Sequence, residues 1–327
     1  MRALITGSTG FIGSHLAEAL HARGYQMRCL VRKTSNLEWI RHLPIEYVYG
    51  DLFDHAVLQQ AVADTELIVH VAGVTKARSA KGYFLGNHVA TKNLLDAVLA
   101  VRPPLKRFLH VSSQAAVGPS ADGVPVDETT PFHPITAYGR SKMEAEKECL
   151  KLRDRIPITI TRPPAVYGPR DRDVFTFFES VNKGLQPMMG FNNKEVSLIH
   201  VSDLVHGILL AAEHPAGVNN TYFISSTRYY GWKEVGEVTA RAMGKKALRL
   251  RVPVSLVYAI AVLSEAYSVV SRQPVLLNYD KAKDIVQDAW TCSIAKAQRE
   301  LGYSEQRTLE QGIRETVAWY REHGWLK

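Results

Sequence analysis

Apolar and polar positions alternate along the first half of the chain in blocks that predict strands and helices in turn. Short apolar runs bounded by turn residues predict buried parallel strands. These runs lie at 2–6, 26–31, 47–49 and 107–111. After the first run, apolar residues from Phe11 onward follow a helical spacing that ends near Gly24. Strands that alternate with helices indicate an α/β fold built on a parallel sheet.

A glycine-rich loop joins the first predicted strand to the first predicted helix. Gly7, Gly10 and Gly13 give the spacing G-x-x-G-x-x-G, one residue longer than the G-x-G-x-x-G of dinucleotide-binding loops. A strand, a glycine turn and a helix aim backbone N–H groups and the positive end of the helix at a pyrophosphate. Glycines can also simply end a strand, but their place directly after an apolar strand favours phosphate binding. We therefore predict a Rossmann-type doubly wound parallel sheet whose loop contacts a dinucleotide through Gly7, Thr9, Gly10, Phe11, Ile12 and Gly13.

The residues after the second strand bear on which dinucleotide binds. An NAD site places Asp or Glu here to hold the ribose 2′-hydroxyl, whereas this chain has Arg32 and Lys33. A guanidinium can pair with a 2′-phosphate and stack on the adenine. NADP is the predicted cofactor, and NAD stays open because both cations can simply be solvated. Asp51 is predicted either to contact the adenine amino group or to cap the helix that begins at Asp54.

Three polar residues in the middle of the chain indicate proton-transfer chemistry. Ser113 follows the strand at 107–111, and Tyr138 and Lys142 stand one turn apart on a predicted helix. An adjacent ammonium is expected to lower the pKa of a phenol toward the range useful for acid–base chemistry. A serine hydroxyl can share the substrate oxygen and stabilise charge that develops there. A Tyr–Lys pair alone is common on helix surfaces, so its value here comes from Ser113 and the glycine loop.

Taken together, these motifs resemble the extended short-chain dehydrogenase/reductase family, also called the NAD-dependent epimerase/dehydratase family. The matching segments are 6–13, 50–52, 70–73, 111–113, 138–142, 162–169 and 200–204. The resemblance implies that Ser113 polarises the substrate, Tyr138 transfers the proton and Lys142 holds the nicotinamide ribose. It implies that Asn87 supports the active site. It also implies further cofactor contacts from Leu52, Val71, Ala72, Gly73, Pro163 and Val166.

Two departures from the family pattern narrow the predicted reaction. The family often has Tyr before the glycine of Ser-Ser-x-x-Val-Tyr-Gly, whereas Val117 precedes Gly118 here. Ser113 is the best match to the catalytic hydroxyl, and a shift of one residue would place Gln114 there instead. Sugar 4,6-dehydratases of the family carry Asp-Glu where this chain has Gln114-Ala115. We therefore expect no dehydratase activity by that route.

The segment 30–36 and the C-terminal tail look like the ketoreductase side of the family, with the dihydroflavonol reductases and 3β-hydroxysteroid dehydrogenases. We predict an NAD(P)-dependent oxidoreductase that transfers a hydride between nicotinamide and a carbonyl/secondary alcohol pair. Tyr138 would be its proton donor or acceptor. Two alternatives stay open: a nucleotide-sugar epimerase with tightly bound NAD, and a non-catalytic dinucleotide-sensing protein.

The second half of the chain is predicted to supply the substrate pocket. We expect a dinucleotide-binding domain at 1–167, with 191–218 returning to it, and a substrate-binding lobe formed mainly by 168–190 and 219–327. The candidate substrate residues are Gln114, Tyr167, Arg170, Met188 and Arg228. Aromatic and methionine side chains favour a flat apolar substrate, whereas the two arginines favour a nucleotide diphosphate.

Composition limits the partners more than it identifies them. The formal net charge of +8 comes from 40 basic and 32 acidic residues, which are scattered and form no nucleic-acid-binding motif. We therefore expect a small-molecule substrate and no nucleic-acid partner, and a homodimer stays open. The three cysteines show neither a metal-binding spacing nor an even disulfide set, and no metal is predicted. With no signal peptide expected before the first strand, the predicted location is cytoplasmic.

The segment 252–270 is strongly apolar and allows two interpretations. Its apolar stripe consists of Leu256, Ile260, Leu263, Tyr267 and Val270. One interpretation is a helix that is buried or lines the substrate pocket. The other is peripheral membrane contact, with Arg249, Arg251 and Arg272 meeting anionic lipid.

Overall fold

The computed structural model describes residues 1–121, 123–190, 192, 194–271 and 278–327. The strands are β1 (Arg2–Thr6), β2 (Gln26–Val31), β3 (Ile45–Tyr49), β4 (Leu67–His70), β5 (Arg107–Val111), β6 (Ile158–Arg162), β7 (Ala165–Tyr167), β8 (Leu185–Met189), β9 (Glu195–His200), β10 (Thr221–Phe223), β11 (Tyr229–Gly231), β12 (Leu248–Val252) and β13 (Ala289–Trp290). The α-helices are α1 (Phe11–Ala22), α2 (His55–Val62), α3 (Ala80–Tyr83), α4 (Ala90–Val101), α5 (Ala137–Lys151), α6 (Phe175–Asn182), α7 (Val201–Glu213), α8 (Trp232–Met243), α9 (Val254–Ser271), α10 (Tyr279–Val286), α11 (Ala295–Leu301) and α12 (Leu309–Glu322). A π-helical turn at Phe84–Val89 joins α3 to α4, and 3₁₀ turns lie at Gln114–Ala116 and Pro215–Gly217.

The main sheet has seven parallel strands in the order β10-β6-β5-β4-β1-β2-β3. The chain reverses its direction of travel across the sheet between β1 and β4, which leaves a crevice at the carboxyl ends of these two strands. Ligands of open parallel sheets bind in this crevice. The predicted α/β fold with a doubly wound parallel sheet is confirmed.

Helices cover both faces of this sheet because its strands are apolar on both sides. On one face, α1 and α7 pack against a core that includes Leu16, Ile5 and Ile208, all with no exposed surface. The other face is covered by α2, α4 and α5, with Leu58 and Leu94 fully buried. Strands buried in this way hold the ends of the connecting loops in fixed positions, where a ligand can be bound.

The polar residues after β3 resolve one of the two predictions for Asp51. The carboxylate of Asp54 caps α2, accepting a hydrogen bond from Val57 N at 3.1 Å. Asp51 instead accepts from Phe53 N at 2.7 Å and forms a tight turn. The prediction that Asp51 caps this helix was therefore wrong, because the residue directly before the helix has the cap position.

A second, smaller set of strands forms most of the remaining structure. β9 pairs with β7, β11 and β13, and β8 pairs with β12. The predicted domain boundaries differ from this arrangement at three points. β10 lies within the predicted lobe yet joins the main sheet beside β6, and β7 lies within the predicted nucleotide domain yet pairs outside the main sheet. β9 lies within 191–218, which was predicted to return to the nucleotide domain, yet among the described residues it pairs only in the smaller set of strands.

The apolar segment 252–270 contains α9, whose stripe faces outward. Leu256, Ile260, Leu263 and Tyr267 are 49%, 42%, 70% and 67% exposed, whereas Val257 on another face is 2% exposed. The side chain of Val270 and all of Arg272 lie outside the described residues. Within the described ranges, neither α9 nor any other helix has the length and apolarity to cross a membrane. The interpretation of this stripe as buried was wrong, because only the narrow face around Val257 packs on the protein.

Candidate active site

The glycine loop packs closely against the backbone around it and against the start of α1. Gly7 has a φ of +76°, and a Cβ there would lie 2.6 Å from Ala72 N. A Cβ at Gly13 would lie 2.1 Å from the carbonyl oxygen of Gly7, so the start of α1 packs directly on the loop. No side chain caps α1 and its first turn has no acidic residue. Its amino end is therefore suited to an anionic phosphate, and the loop fits a dinucleotide.

The cations predicted to bind the ribose 2′-phosphate lie at the carboxyl end of β2. Arg32 and Lys33 are both exposed, and neither forms an ion pair with any of the described residues. The backbone there is held by Ser35, whose Oγ accepts from Arg32 N at 3.1 Å. The next loop carries Asp51 and Leu52, and Leu52 O accepts from Asn93 Nδ2 at 2.9 Å. These loops border the same end of the sheet as the glycine loop.

The remaining predicted cofactor residues follow β4 and β6. Val71 N donates to Thr6 O at 3.2 Å, which holds the segment Val71–Ala72–Gly73 beside the glycine loop. Gly73 lies next to the side chains of Asn87 and Lys142, since a Cβ at Gly73 would be 3.0 Å from Asn87 Oδ1 and 3.4 Å from Lys142 Nζ. Pro163 follows β6 and accepts from Gln114 N at 2.9 Å, and Val166 is half-buried on β7.

The first turn of α5 holds the predicted proton-transfer residue. Thr136 caps this helix, accepting from Gly139 N at 3.1 Å, and so fixes where Tyr138 points. Burial raises the pKa of Tyr138 to about 12, and the nearby hydroxyl of Ser113 partly offsets this rise. Lys142, which is 4% exposed, donates from Nζ to Val111 O at 2.9 Å.

The prediction that Lys142 lowers the pKa of Tyr138 was wrong. The ammonium is directed to a backbone carbonyl, and its own pKa falls to about 8 because burial disfavours the charged form. The phenol loses its hydration without gaining a nearby cation, so its pKa rises instead of falling. Tyr138 is consequently protonated over the whole neutral range.

The serine position is Ser113, without the shift to Gln114. The Ser113 hydroxyl lies near Tyr138, where it lowers the pKa of the phenol, and Ser113 Oγ accepts from Ala115 N at 3.1 Å. The side chain of Gln114 turns the other way, is 2% exposed, and donates from Nε2 to Thr291 O at 3.2 Å. Gln114 thus fixes a loop through the backbone of Thr291.

Asn87 connects the π-helical turn to α5. Its Oδ1 accepts from Val74 N at 2.7 Å and its Nδ2 donates to Ser141 Oγ at 2.8 Å. Ser141 in turn donates to Tyr138 O at 2.7 Å. The extra residue of a π-helical turn directs Asn87 inward, where it is 1% exposed. It holds the backbone around Tyr138 in place.

A buried ion pair lies behind this helix. Glu146 on α5 is fully buried and accepts two hydrogen bonds from Arg162 on β6, at 2.7 and 3.1 Å. Ser112 donates to the same carboxylate at 2.5 Å. The guanidinium also lies 5.2 Å from the ring centroid of Phe132. This ion pair links α5 to β6, the strand that leads into Pro163.

Most of the predicted substrate residues have other partners. Tyr167 is 3% exposed and packs edge-on against His200, which makes it part of the lobe core. Arg170 donates to Ser14 and Glu18 of α1 at 3.1 and 2.6 Å. Arg228 is exposed and pairs with Glu234 at 3.1 Å. Met188 is half-buried on β8. Unlike the other four candidates, it is not assigned to another partner by these contacts.

Two residues near Tyr138 were not predicted. The ring of Tyr83 lies edge-on to that of Tyr138 at 6.1 Å. Asp284 on α10 is close enough for its charge to raise the pKa of Tyr138. Neither residue belongs to a motif, and Asp284 lies 146 positions further along the chain than Tyr138. The spacing of residues along the sequence gives no signal for such a contact.

A cleft of about 520 Å³ opens between the first turn of α9 and the end of α10. Its walls include Gly190, Lys194, Val254 and Val286. Asp284 lies half a turn before Val286 on the same helix. α10 therefore runs from the cleft to the surroundings of Tyr138.

The NAD dependent epimerase/dehydratase family model matches residues 3–225. Ceramide reductase of Caulobacter vibrioides is 31% identical over 98% of this chain and 95% of that protein. A 3-beta-hydroxysteroid dehydrogenase of Mycolicibacterium neoaurum is 30% identical over 98% of this chain and 92% of that protein. UDP-glucose 4-epimerase of Thermotoga maritima superposes with a TM-score of 0.82 over 99% of both chains at 21% identity, which is a likeness of fold. The chain belongs to the NAD dependent epimerase/dehydratase family, and it is an oxidoreductase enzyme built on the Rossmann-type fold.

Proposed function

We propose that this enzyme reduces the carbonyl group of an apolar ketone to a secondary alcohol, with NADPH as the preferred cofactor. The observation that carries the proposal is that the Ser113 hydroxyl lies near the phenol of Tyr138, which stands one turn of α5 before the buried Lys142. Bound nicotinamide supplies the hydride. Tyr138 donates its phenolic proton to the carbonyl oxygen, and Ser113 donates a hydrogen bond to the same oxygen.

The protonation state of Tyr138 is that of a proton donor. A proton donor must hold its proton before the reaction, and a phenol with a pKa of about 12 does so at neutral pH. Oxidation of the alcohol requires the phenolate instead, which burial disfavours. In the proposed role, Lys142 moves from Val111 O to the nicotinamide ribose and brings its charge toward Tyr138.

Several features support an apolar substrate. The two relatives named above are called a ceramide reductase and a hydroxysteroid dehydrogenase, and both names refer to lipids. Arg170 and Arg228 were the residues that favoured a nucleotide diphosphate, and their ion pairs with Glu18 and Glu234 remove that support.

We also propose that the main sheet with its helices holds the cofactor, and that the strands around β9 with α9 and α10 form the substrate lobe.

The first test is the identity of the bound nucleotide. Denatured protein is expected to release little nucleotide, and the apo-protein is expected to bind NADPH at least tenfold more tightly than NADH, about 1.4 kcal/mol. Mass spectrometry of the released material and fluorescence titration of both cofactors measure this. Stoichiometric NAD⁺ carried through purification would instead indicate an epimerase that recycles its cofactor.

Arg32 provides the matching variant. Arg32→Ala is expected to weaken NADPH binding by about 10- to 100-fold, the value of a hydrogen bond to a charged group, and to leave NADH binding unchanged. Arg41→Ala removes another exposed arginine after β2 and is the control. Equal losses for both cofactors would show that Arg32 does not recognise the 2′-phosphate.

We further propose that the outward stripe of α9 contacts an anionic membrane surface. Leu256, Ile260, Leu263 and Tyr267 form one exposed apolar face. Lys245 and Lys246 lie exposed just before β12, the strand that leads to this helix. Apolar side chains beside exposed cations are complementary to a bilayer with anionic lipid.

Vesicle sedimentation tests this contact. The protein is expected to bind vesicles of phosphatidylcholine and phosphatidylglycerol, and the double change Leu263→Glu with Tyr267→Glu is expected to lower the affinity about tenfold or more. Val218→Glu, at a 40% exposed position before β10, is the control. Undiminished binding of the double variant would remove α9 from the contact.

A further inference from the structure

The helix α10 brings a second carboxylate to the surroundings of Tyr138. Asp280 in its first turn accepts a hydrogen bond from Ala137 N at 2.7 Å, so α10 is anchored on the amino end of α5. Ala137 is the residue directly before Tyr138. Asp284 stands four residues after Asp280 and therefore lies on the same face of α10, one turn further along.

The carboxylate of Asp284 lacks a partner for one of its oxygens. Oδ1 is buried and accepts no hydrogen bond from any described residue. Trp290 donates only to the backbone carbonyl of Asp284, at 2.9 Å. Lys283, the neighbouring cation, pairs with Asp280 at 3.2 Å.

A buried carboxylate oxygen without a hydrogen-bond partner is costly. Burial raises the pKa of Asp284 to about 6, so the ionised form is disfavoured in the folded protein and stability is lost as the pH rises through 6. On its own helix, Lys281 and Lys283 lower this pKa and Asp280 raises it. On the neighbouring helix α5, the nearby titratable group is Tyr138, whose pKa is raised by the charge of Asp284.

A substrate could supply the missing hydrogen bond. We propose that Asp284 determines specificity by accepting a hydrogen bond from a hydroxyl or amide N–H group next to the reactive carbonyl of the substrate. The inference rests on the proposed ketone reduction, since it places the donor group beside the carbonyl that Tyr138 protonates.

A matched pair of ketones tests the inference. Methyl hexyl ketone and hydroxymethyl hexyl ketone differ only by the hydroxyl beside the carbonyl. The wild type is expected to prefer the hydroxyketone in kcat/KM by about 10-fold or more, the value of a hydrogen bond to a charged group. Asp284→Leu is expected to lose this preference, so that the ratio of its kcat/KM values for the two ketones falls to about 1. Asp284→Asn keeps one acceptor oxygen and is expected to lie between the two.

The Tm of the apo-protein gives a readout that does not depend on turnover. Above the pKa of Asp284, Asp284→Asn is expected to raise the Tm by about 2 °C or more, because an unpaired buried charge is removed. Asp96→Asn, an exposed aspartate on α4, is the control. A residue with a purely structural role would lower the Tm when changed, and that result would overturn the inference. Equal losses of activity on both ketones would also overturn it.

The proposed reaction can fail separately from this inference. A wild type that binds NADPH yet reduces neither ketone would contradict ketone reduction. Protection then decides the role of Asp284: hydroxymethyl hexyl ketone raises the Tm of the wild type and not of Asp284→Leu if Asp284 binds the hydroxyl. Equal protection of both proteins would overturn the inference.

Discussion

Tyr138→Phe is expected to lower kcat for ketone reduction by about 10²- to 10⁴-fold, the usual contribution of a positioned general acid. The change removes one oxygen atom and leaves the ring in place against Tyr83. The glycine loop is untouched, so the dissociation constant for NADPH should not change. Steady-state kinetics and a fluorescence titration of the same preparation measure both quantities.

Tyr83→Phe is the matched control for this experiment. Tyr83 is 8% exposed and its hydroxyl makes only a long contact to Thr75 O, at 3.5 Å. Loss of that hydroxyl should change kcat little. If both variants lost activity equally, the phenol of Tyr138 would not be the proton donor. If neither changed the biological output of the protein, a dinucleotide sensor would be the better interpretation.

Arg162→Met is expected to destabilise the protein by about 3–5 kcal/mol, because Glu146 would remain buried without its cation. Ser112 alone cannot neutralise the carboxylate, although it donates one hydrogen bond to it. Denaturant unfolding measures the change in the free energy of unfolding. The double variant with Glu146→Leu should recover most of the loss, since no charge is then left buried.

An exposed ion pair gives the comparison. Lys183 and Glu179 pair on the surface of α6 at 2.8 Å, with side chains 66% and 44% exposed. Lys183→Met should cost less than about 1 kcal/mol. If Arg162→Met cost no more than Lys183→Met, the ion pair behind α5 would contribute nothing to holding the catalytic helix.

Local patterns predicted the parts of the molecule that local forces determine. The strands at 26–31 and 107–111 have the predicted bounds, because a short, mainly apolar run between polar turns favours a buried strand. The i, i+4 spacing placed Tyr138 and Lys142 on one helical face, and Thr136 provides the expected polar start. Ser113 lies beside Tyr138 because parallel strands end at the same edge of the sheet.

Contacts between distant parts of the chain were beyond such patterns. Arg170 has a φ of +72° and reaches back to Glu18, a residue 152 positions earlier. The sequence analysis instead predicted Arg170 as a substrate residue that could bind a nucleotide diphosphate. The helical period of α9 was correct, but a period reveals which residues share a face and not what covers that face. Asp284 reaches Tyr138 only through the packing of α10 on α5.

The position of β10 has a consequence for how the protein is made. This strand pairs with β6 at the edge of the main sheet, yet it follows β6 by about 60 residues of intervening chain. While the polypeptide emerges from the ribosome, β6 displays open N–H and C=O groups until residues 221–223 arrive. A nascent chain stalled before Thr221 would therefore expose a strand edge able to pair with another chain. The interval between the synthesis of β6 and β10 is the stage at which a chaperone would be most useful to this enzyme.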